Sequence, residues 1–165
     1  CNKIISLVSN QIGKKVYISN SLIALRERNK ILIYHKEVEK KSDLIRLKIG
    51  ETKSTGQKKI KIDFIDKHSI KYSINKDNEY IDADGVKDQF ILRSWKEGDR
   101  FYPLGLNGSK KVSDFLNDQK VASFEKKDQL VLINGKKIVW VVGHQIDNRF
   151  KITDKTRKVL QLCLK

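Results

Sequence analysis

What most constrains this chain is the brevity and alternation of its apolar runs. Ile60, Ile62 and Phe64 alternate with Lys59, Lys61 and Asp63, and near the end Leu160, Leu162 and Leu164 alternate with Val159, Gln161 and Cys163. A period of two buries one face of a strand and leaves the other polar. Lys15–Ile18, Leu22–Arg26 and Ile31–His35 read as a meander, broken at Ser19–Asn20–Ser21 and around Asn29. Leu44–Ile49 and Ile60–Ile65 are further strands, with Lys36–Asp43 a charged loop before them. His68–Ile74 is expected to pair back on Ile60–Ile65 across Asp66–Lys67. Glu79–Ala83 and Phe90–Trp95 follow. Leu130–Ile133 and Lys137–Val142 flank Asn134–Gly135, a strong hairpin signal.

Helical spacing is confined to two places. Ile4, Ile5, Leu7, Val8 and Ile12 precede Gly13, a usual helix-ending residue. Val112, Phe115 and Leu116 stand at i, i+3 and i+4, with Ser109 expected as the N-cap. The fold class is α+β: β-rich small domains with short helices. The polar stretch Asn75–Asn78 is read as the division between a β-rich connecting region, 1–75, and a C-terminal domain, 76–165.

Charge narrows the partners. The 165 residues carry 35 Lys and Arg against 20 Asp and Glu, a formal net charge of +15. Residues 1–89 hold 19 basic and 12 acidic side chains, and residues 90–165 hold 16 and 8. Such a surplus attracts polyanions, although a lysine-rich solubilising surface gives the same count. The two cysteines, Cys1 and Cys163, give no disulfide framework, so a reducing cytoplasm is expected. No apolar stretch approaches the roughly 18 residues that read as a membrane span, and no signal peptide is evident. The sequence starts without Met and enters an apolar pattern at once, and so reads as a piece of a longer protein.

Several chemistries find no support. There is no glycine-rich loop ending in Lys-Ser/Thr, and no Ser-Gly-Gly-x-Asp-Ser loop for an adenylating pyrophosphate site. His35, His68 and His144 are isolated and lack metal-ligand spacing. Asp99, Asp114, Asp118 and Asp147 offer carboxylates, and Asp114 and Asp118 share a helical face. Asp114 and Asp118 are expected to pair with Lys110, Lys111 or Lys120, or to face water, rather than to do acid–base work. No catalytic, cofactor-binding or metal-binding residue is assigned.

The segment Arg93 to Leu106 is different. It sets Arg93, Arg100, Trp95, Phe101 and Tyr102 among Gly98, Pro103 and Gly105, with Lys110 and Lys111 close behind. Arginine forks take phosphate oxygens bidentately, aromatic faces stack on unpaired bases, and glycine lets backbone N–H groups approach a phosphate. A nucleic-acid surface would use all three. The same residues also fit aromatics in a core, with Arg100 and Asp99 tying the loop internally.

The longer pattern is Leu92-Arg93-x-Trp95-x-x-Gly98-Asp99-Arg100-Phe101-x-Pro103-Leu104-Gly105. Gly108-x-Lys110-Lys111-Val112-Ser113-Asp114-Phe115 and Lys120-Val121 come next. Ile138-Val139-Trp140-Val141-x-Gly143, Ile146-Asp147-x-Arg149-Phe150-Lys151-Ile152-Thr153 and Thr156 complete it. In order and spacing, Ile91–Leu164 resembles the C-terminal domain of bacterial tRNA(Ile)-lysidine synthase, with Tyr80–Asp84 similar to its lead-in. The resemblance implies a domain also found in the phenylalanine tRNA synthetase β chain. It implies a parent ligase that uses ATP, Mg²⁺ and L-lysine, in an N-terminal domain not in this chain, to convert the wobble cytidine of a CAU anticodon to lysidine. The implied task of the C-terminal part is to grip the acceptor stem of tRNA(Ile). Carried onto this sequence, the RNA-facing cations are Arg93, Arg100, Lys110, Lys111, Lys120, Arg149 and Lys151. Trp95, Phe115 and Trp140 are expected in the core, and Asp99, Asp114 and Asp147 are expected to orient cations. Departures stand at Ala122 and Lys126, where many members have Pro and Arg, and at Gln145, where an Arg is common. The alternative is a stand-alone RNA-binding or protein-interaction module without an enzymatic role. The sequence leaves dimerisation open.

Overall fold

The computed structural model describes residues 2–35, 44–56, 58–71 and 76–165. The charged run 36–43 expected as a loop and the end of the strand expected at 68–74 lie outside the described residues, as does Cys1. A four-residue helix α1 (Asn2–Ile5) opens the chain, shorter than the spacing up to Ile12 suggests. The meander follows as β1 (Lys15–Tyr17), β2 (Leu22–Arg26) and β3 (Ile31–His35), paired antiparallel in that order. Leu7, Ala24 and Leu25 are its wholly buried residues.

Among the described residues the remaining strands form two larger sheets and a two-stranded ladder. β4 (Ile45–Lys48), β5 (Thr52–Thr55), β6 (Lys58–Ile65), β7 (Asn78–Asp82) and β8 (Gln89–Ser94) come first. After two short strands, β9 (Arg100–Phe101) and β10 (Lys110–Lys111), the helices α2 (Val112–Asp118) and α3 (Ser123–Lys127) follow. Then come β11 (Leu130–Asn134), β12 (Lys137–Val141), β13 (Gln145–Ile146) and β14 (Val159–Leu164). One sheet runs β13-β12-β11-β8-β4 and the other β5-β6-β14-β7. They pack face to face: Leu47, Phe90, Leu92, Leu132 and Trp140 of the first meet Ile60, Ile62, Ile81, Leu160 and Leu162 of the second. The division expected at residue 75 falls inside this sandwich. β4–β6 precede it and β7–β14 follow it, and both sets line one core.

β11 and β12 are apolar on both faces, because the five-stranded sheet is a middle layer. Its other face, through Val131, Ile133, Ile138 and Val141, packs against Phe101, Val112, Phe115 and Leu116. That second core draws the 100–116 segment onto the sheet and so positions the candidate site.

Three local expectations change. His68 does not open a strand paired with β6. Asp66 accepts the His68 N–H at 2.7 Å and caps a 3-10 turn at Lys67–Ser69, and β6 pairs with β5 and β14 instead. The hairpin loop shifts by one residue, to Gly135–Lys136: Asn134 pairs with Lys137 and spends its amide on Lys87 and Gln89. Gly135 has φ +60° while Lys136 is not in the positive region, which fits a II′ turn with Gly first. Ser109 is not the N-cap of α2. Lys111 stands there without a side-chain cap bond.

β14 lies centrally because the segment before it is clamped. Lys67 Nζ donates to the carbonyls of Thr153, Asp154 and Thr156 at 2.9–3.2 Å, and Thr156 Oγ1 donates to Asp82 at 2.5 Å. Cys163, on β14, is half-buried. Among the described residues no helix is long and apolar enough to cross a membrane.

Candidate nucleic-acid interface

Two arginine–aspartate clasps build the platform. Arg93, on β8, donates from Nη1 and Nη2 to Asp99 at 2.7 and 2.9 Å, and Asp99 also accepts the Lys96 N–H at 2.8 Å. Burial pushes the Asp99 carboxyl up, but the Arg93 and Lys96 hydrogen bonds outweigh it and hold the group below its usual range. The internal tie that the sequence suggested for Asp99 thus uses Arg93, not Arg100. Asp99 O accepts Val112 N at 2.9 Å, which fastens the loop to the start of α2.

In the second clasp Asp147 is wholly buried and loaded on both oxygens. It accepts from Tyr102 N, Arg149 N and Arg149 Nε, each at 2.9 Å, and from Arg149 Nη2 at 2.8 Å. The Asp147 bonds raise the guanidinium above its ordinary range. Arg149 also lies 4.4 Å from the centroid of the Tyr102 ring, a cation–π contact at the surface.

Between the clasps runs the β9–β10 ladder, which places Arg100 directly opposite Lys111 and Phe101 opposite Lys110. Phe101 is fully buried, edge-on to Phe115 at 5.0 Å, and therefore anchors the ladder. Arg100 faces outward. Its Nε and Nη2 donate to Ser109 Oγ and O, both at 3.0 Å. Like charges directly across a ladder repel, and among the described residues no carboxylate pairs with either Arg100 or Lys111.

The other expected cations divide. Lys110 pairs with Asp118. Asp114 accepts from the neighbouring Ser113 hydroxyl, and among the described residues no cation pairs with it. Lys120 is exposed and takes φ +56° at the end of α2, where its N–H bonds Asn117 O and Val121 N–H bonds Leu116 O. That is a Schellman ending with lysine in glycine's usual place. Lys151 is exposed behind Arg149. Arg93 is mostly buried against Asp99. Trp140 and Phe115 are core residues. Trp95 is half-buried and donates its indole N–H to Lys126 O.

At the departures, Ala122 is the N-cap residue of α3, Lys126 Nζ bonds Asn117 Oδ1, and Gln145 Nε2 reaches Leu104 O at 3.5 Å. His144 is half-buried, bonded to Gln129 and edge-on to Phe115; burial, with Lys76 and Lys58, lowers its pKa. Tyr102 as the seat of Arg149 and Ser109 as the brace of Arg100 had no sequence signal, because a two-residue ladder has no period to read.

Comparison with known proteins agrees with this architecture. The family model for the TilS substrate C-terminal domain matches residues 90–162. A tRNA(Ile)-lysidine synthase of Caldanaerobacter subterraneus subsp. tengcongensis is 34% identical over 95% of this chain and 34% of its own length. One of Parabacteroides distasonis is 46% identical over 52% of this chain and 20% of its own. The chain thus spans only 20–34% of these relatives. The crystal structure of a TILS C-terminal domain superposes with a TM-score of 0.63 at 18% identity, covering 74% of this chain and 97% of that one.

Proposed function

We propose that this chain, whose residues 90–162 match the family model for the TilS substrate C-terminal domain, is the tRNA-holding part of a tRNA(Ile)-lysidine synthase. The parent enzyme, on this reading, works in the cytoplasm and forms lysidine at the wobble cytidine with ATP and L-lysine. ATP and Mg²⁺ act in a domain outside this chain, whose own sequence carries no adenylating loop. What falls to these residues is the grip on the acceptor stem of tRNA(Ile).

The observation that carries the proposal is the Arg100–Lys111 pair. Two outward cations held opposite each other, without a carboxylate, cost stability unless an anion comes between them. A phosphodiester supplies that anion, and Arg149 over Tyr102 and exposed Lys151 and Lys120 extend the same kind of contact. The rigid base under them suits duplex RNA, which proteins recognise mainly through shape and backbone.

The test is a titration of the chain against acceptor-stem minihelices of tRNA(Ile) and tRNA(Met) over a range of salt. If about six cations meet phosphates, affinity falls roughly a thousandfold between 50 and 200 mM salt. Arg100→Ala and Lys111→Ala should each weaken binding, and the isoleucine stem should bind more tightly. Salt-insensitive or absent binding to both stems would refute an autonomous grip and favour a protein-interaction module.

A further inference from the structure

The corner where Tyr102 meets Arg149 offers a surface that a phosphate does not need. Arg100 is exposed, Phe101 buried and Tyr102 exposed again, so Arg100 and Tyr102 face outward on one side. At the usual strand rise they stand roughly 7 Å apart. Just past Phe101 the chain is tied to the 147–149 segment. Pro103 bridges Asp147, Asn148 N donates to Tyr102 O at 2.6 Å, and Tyr102 N donates to Asp147 Oδ2 at 2.9 Å. The chain then reverses. Leu106 N donates to Pro103 O at 3.3 Å, and Gly105, third in this turn, takes φ +80°. Leu106 thus returns to Pro103, one residue from Tyr102. Leu106 is 50% exposed and Tyr102 37%.

Arg149 is held from two directions. Its Nε and Nη2 donate to the wholly buried Asp147, and its guanidinium carbon lies 4.4 Å from the centre of the Tyr102 ring. The side chain nevertheless stays 33% exposed. The carboxylate of Asp147 offsets its charge at 2.8 Å, so Arg149 draws a phosphate less strongly than Arg100 and Lys111, which have no such partner among the described residues. What the corner does present is a guanidinium and a phenol ring in contact, fixed before any ligand arrives, so little side-chain freedom is lost on binding. Arginine planes and aromatic faces stack on nucleobases. Bases inside a duplex are already stacked on their neighbours, so the fitting ligand is an unpaired base.

We propose that Tyr102 and Arg149 form a stacking seat for one unpaired nucleobase of bound RNA, adjoining the backbone that Arg100 and Lys111 hold, with Leu106 as its apolar flank. The inference rests on the RNA-binding reading above and deepens it. The ligand class becomes a duplex with a single-stranded end, which for an acceptor stem is the 3′ end. Tyr102, which carries no charge, joins the residues that select the RNA.

The experiment titrates the full chain with two isoleucine minihelices that share one duplex and one 3′ overhang length. One overhang carries its bases and the other is abasic. Both have the same phosphates, so their salt slopes should match. The base-bearing RNA should bind about tenfold more tightly, as expected for stacking one base. Tyr102→Phe should keep that preference, whereas Tyr102→Leu and Arg149→Lys should lose most of it. The lysine retains the charge, so a mere phosphate contact would leave the preference unmoved. Thermal unfolding checks that each variant folds, and the comparison of the two RNAs on the parent chain needs no variant. Equal, salt-sensitive binding of both RNAs overturns the seat and leaves the phosphate grip standing. A preference that survives in both Tyr102→Leu and Arg149→Lys also overturns it, because the base is then held elsewhere. Absence of salt-sensitive binding to either RNA overturns the RNA reading itself, and the seat with it.

Discussion

Replacing Asp147 by Asn puts an amide where a buried carboxylate accepts four hydrogen bonds, from Tyr102 N and from Arg149 N, Nε and Nη2. The amide oxygen can keep two of these donors. The other two then face an NH₂ group, donor against donor. Hydrogen bonds to a charged group are worth about 1.5–3 kcal/mol each, so two losses come to roughly 3–6 kcal/mol. Arg149 is 33% exposed and can recover water, which sets the expected cost near the low end, about 3 kcal/mol. For a chain of this size each kcal/mol moves the unfolding midpoint by about 2–4 °C, so Asp147→Asn should lower it by roughly 6–12 °C. Far-UV circular dichroism during heating at neutral pH reads this directly. In Asp147→Asn/Arg149→Gln the further loss should be small, since the clasp is already broken. A drop under about 2 °C for Asp147→Asn would refute the reasoning, because the clasp would then weigh no more than a surface ion pair.

Two further outcomes are expected. Lys120→Gly should raise the urea midpoint, since a side chain at φ +56° costs about 1 kcal/mol that glycine avoids, and the same variant should bind the minihelix more weakly for want of a cation; a lower midpoint would show that the turn is not strained. Asp99 has a folded pKa below its ordinary value of 3.8, so its clasp with Arg93 stabilises the fold above that value and the contribution is lost as pH falls through the lowered folded value. Acid unfolding of Asp99→Asn should accordingly be less steep below pH 3.8 than that of the parent chain, and equal steepness would argue against the clasp.

The β character of this protein was readable from sequence because it is local. Ile60 and Ile62 alternate with polar residues regardless of what they pack on, although Phe64, next on that face, is left largely exposed, and Asn134–Gly135 marks a reversal between apolar runs wherever the hairpin lies. The spaced Arg, Trp, Gly and Asp residues from 93 to 105 likewise pointed to one family before any fold was known. Pairing is not local. Asp66 turned the chain away from the hairpin expected after β6, and β14, nearly a hundred residues later, took that edge. Tertiary structure also sorted the cations, which sequence can only count. A buried carboxylate, Asp99 or Asp147, claims whichever guanidinium the fold brings within reach, so Arg93 is mostly buried while Arg149 stays one-third exposed. Among the described residues Arg100 and Lys111 kept their charge without a carboxylate because the ladder sets cation opposite cation, and only the folded backbone fixes that placement.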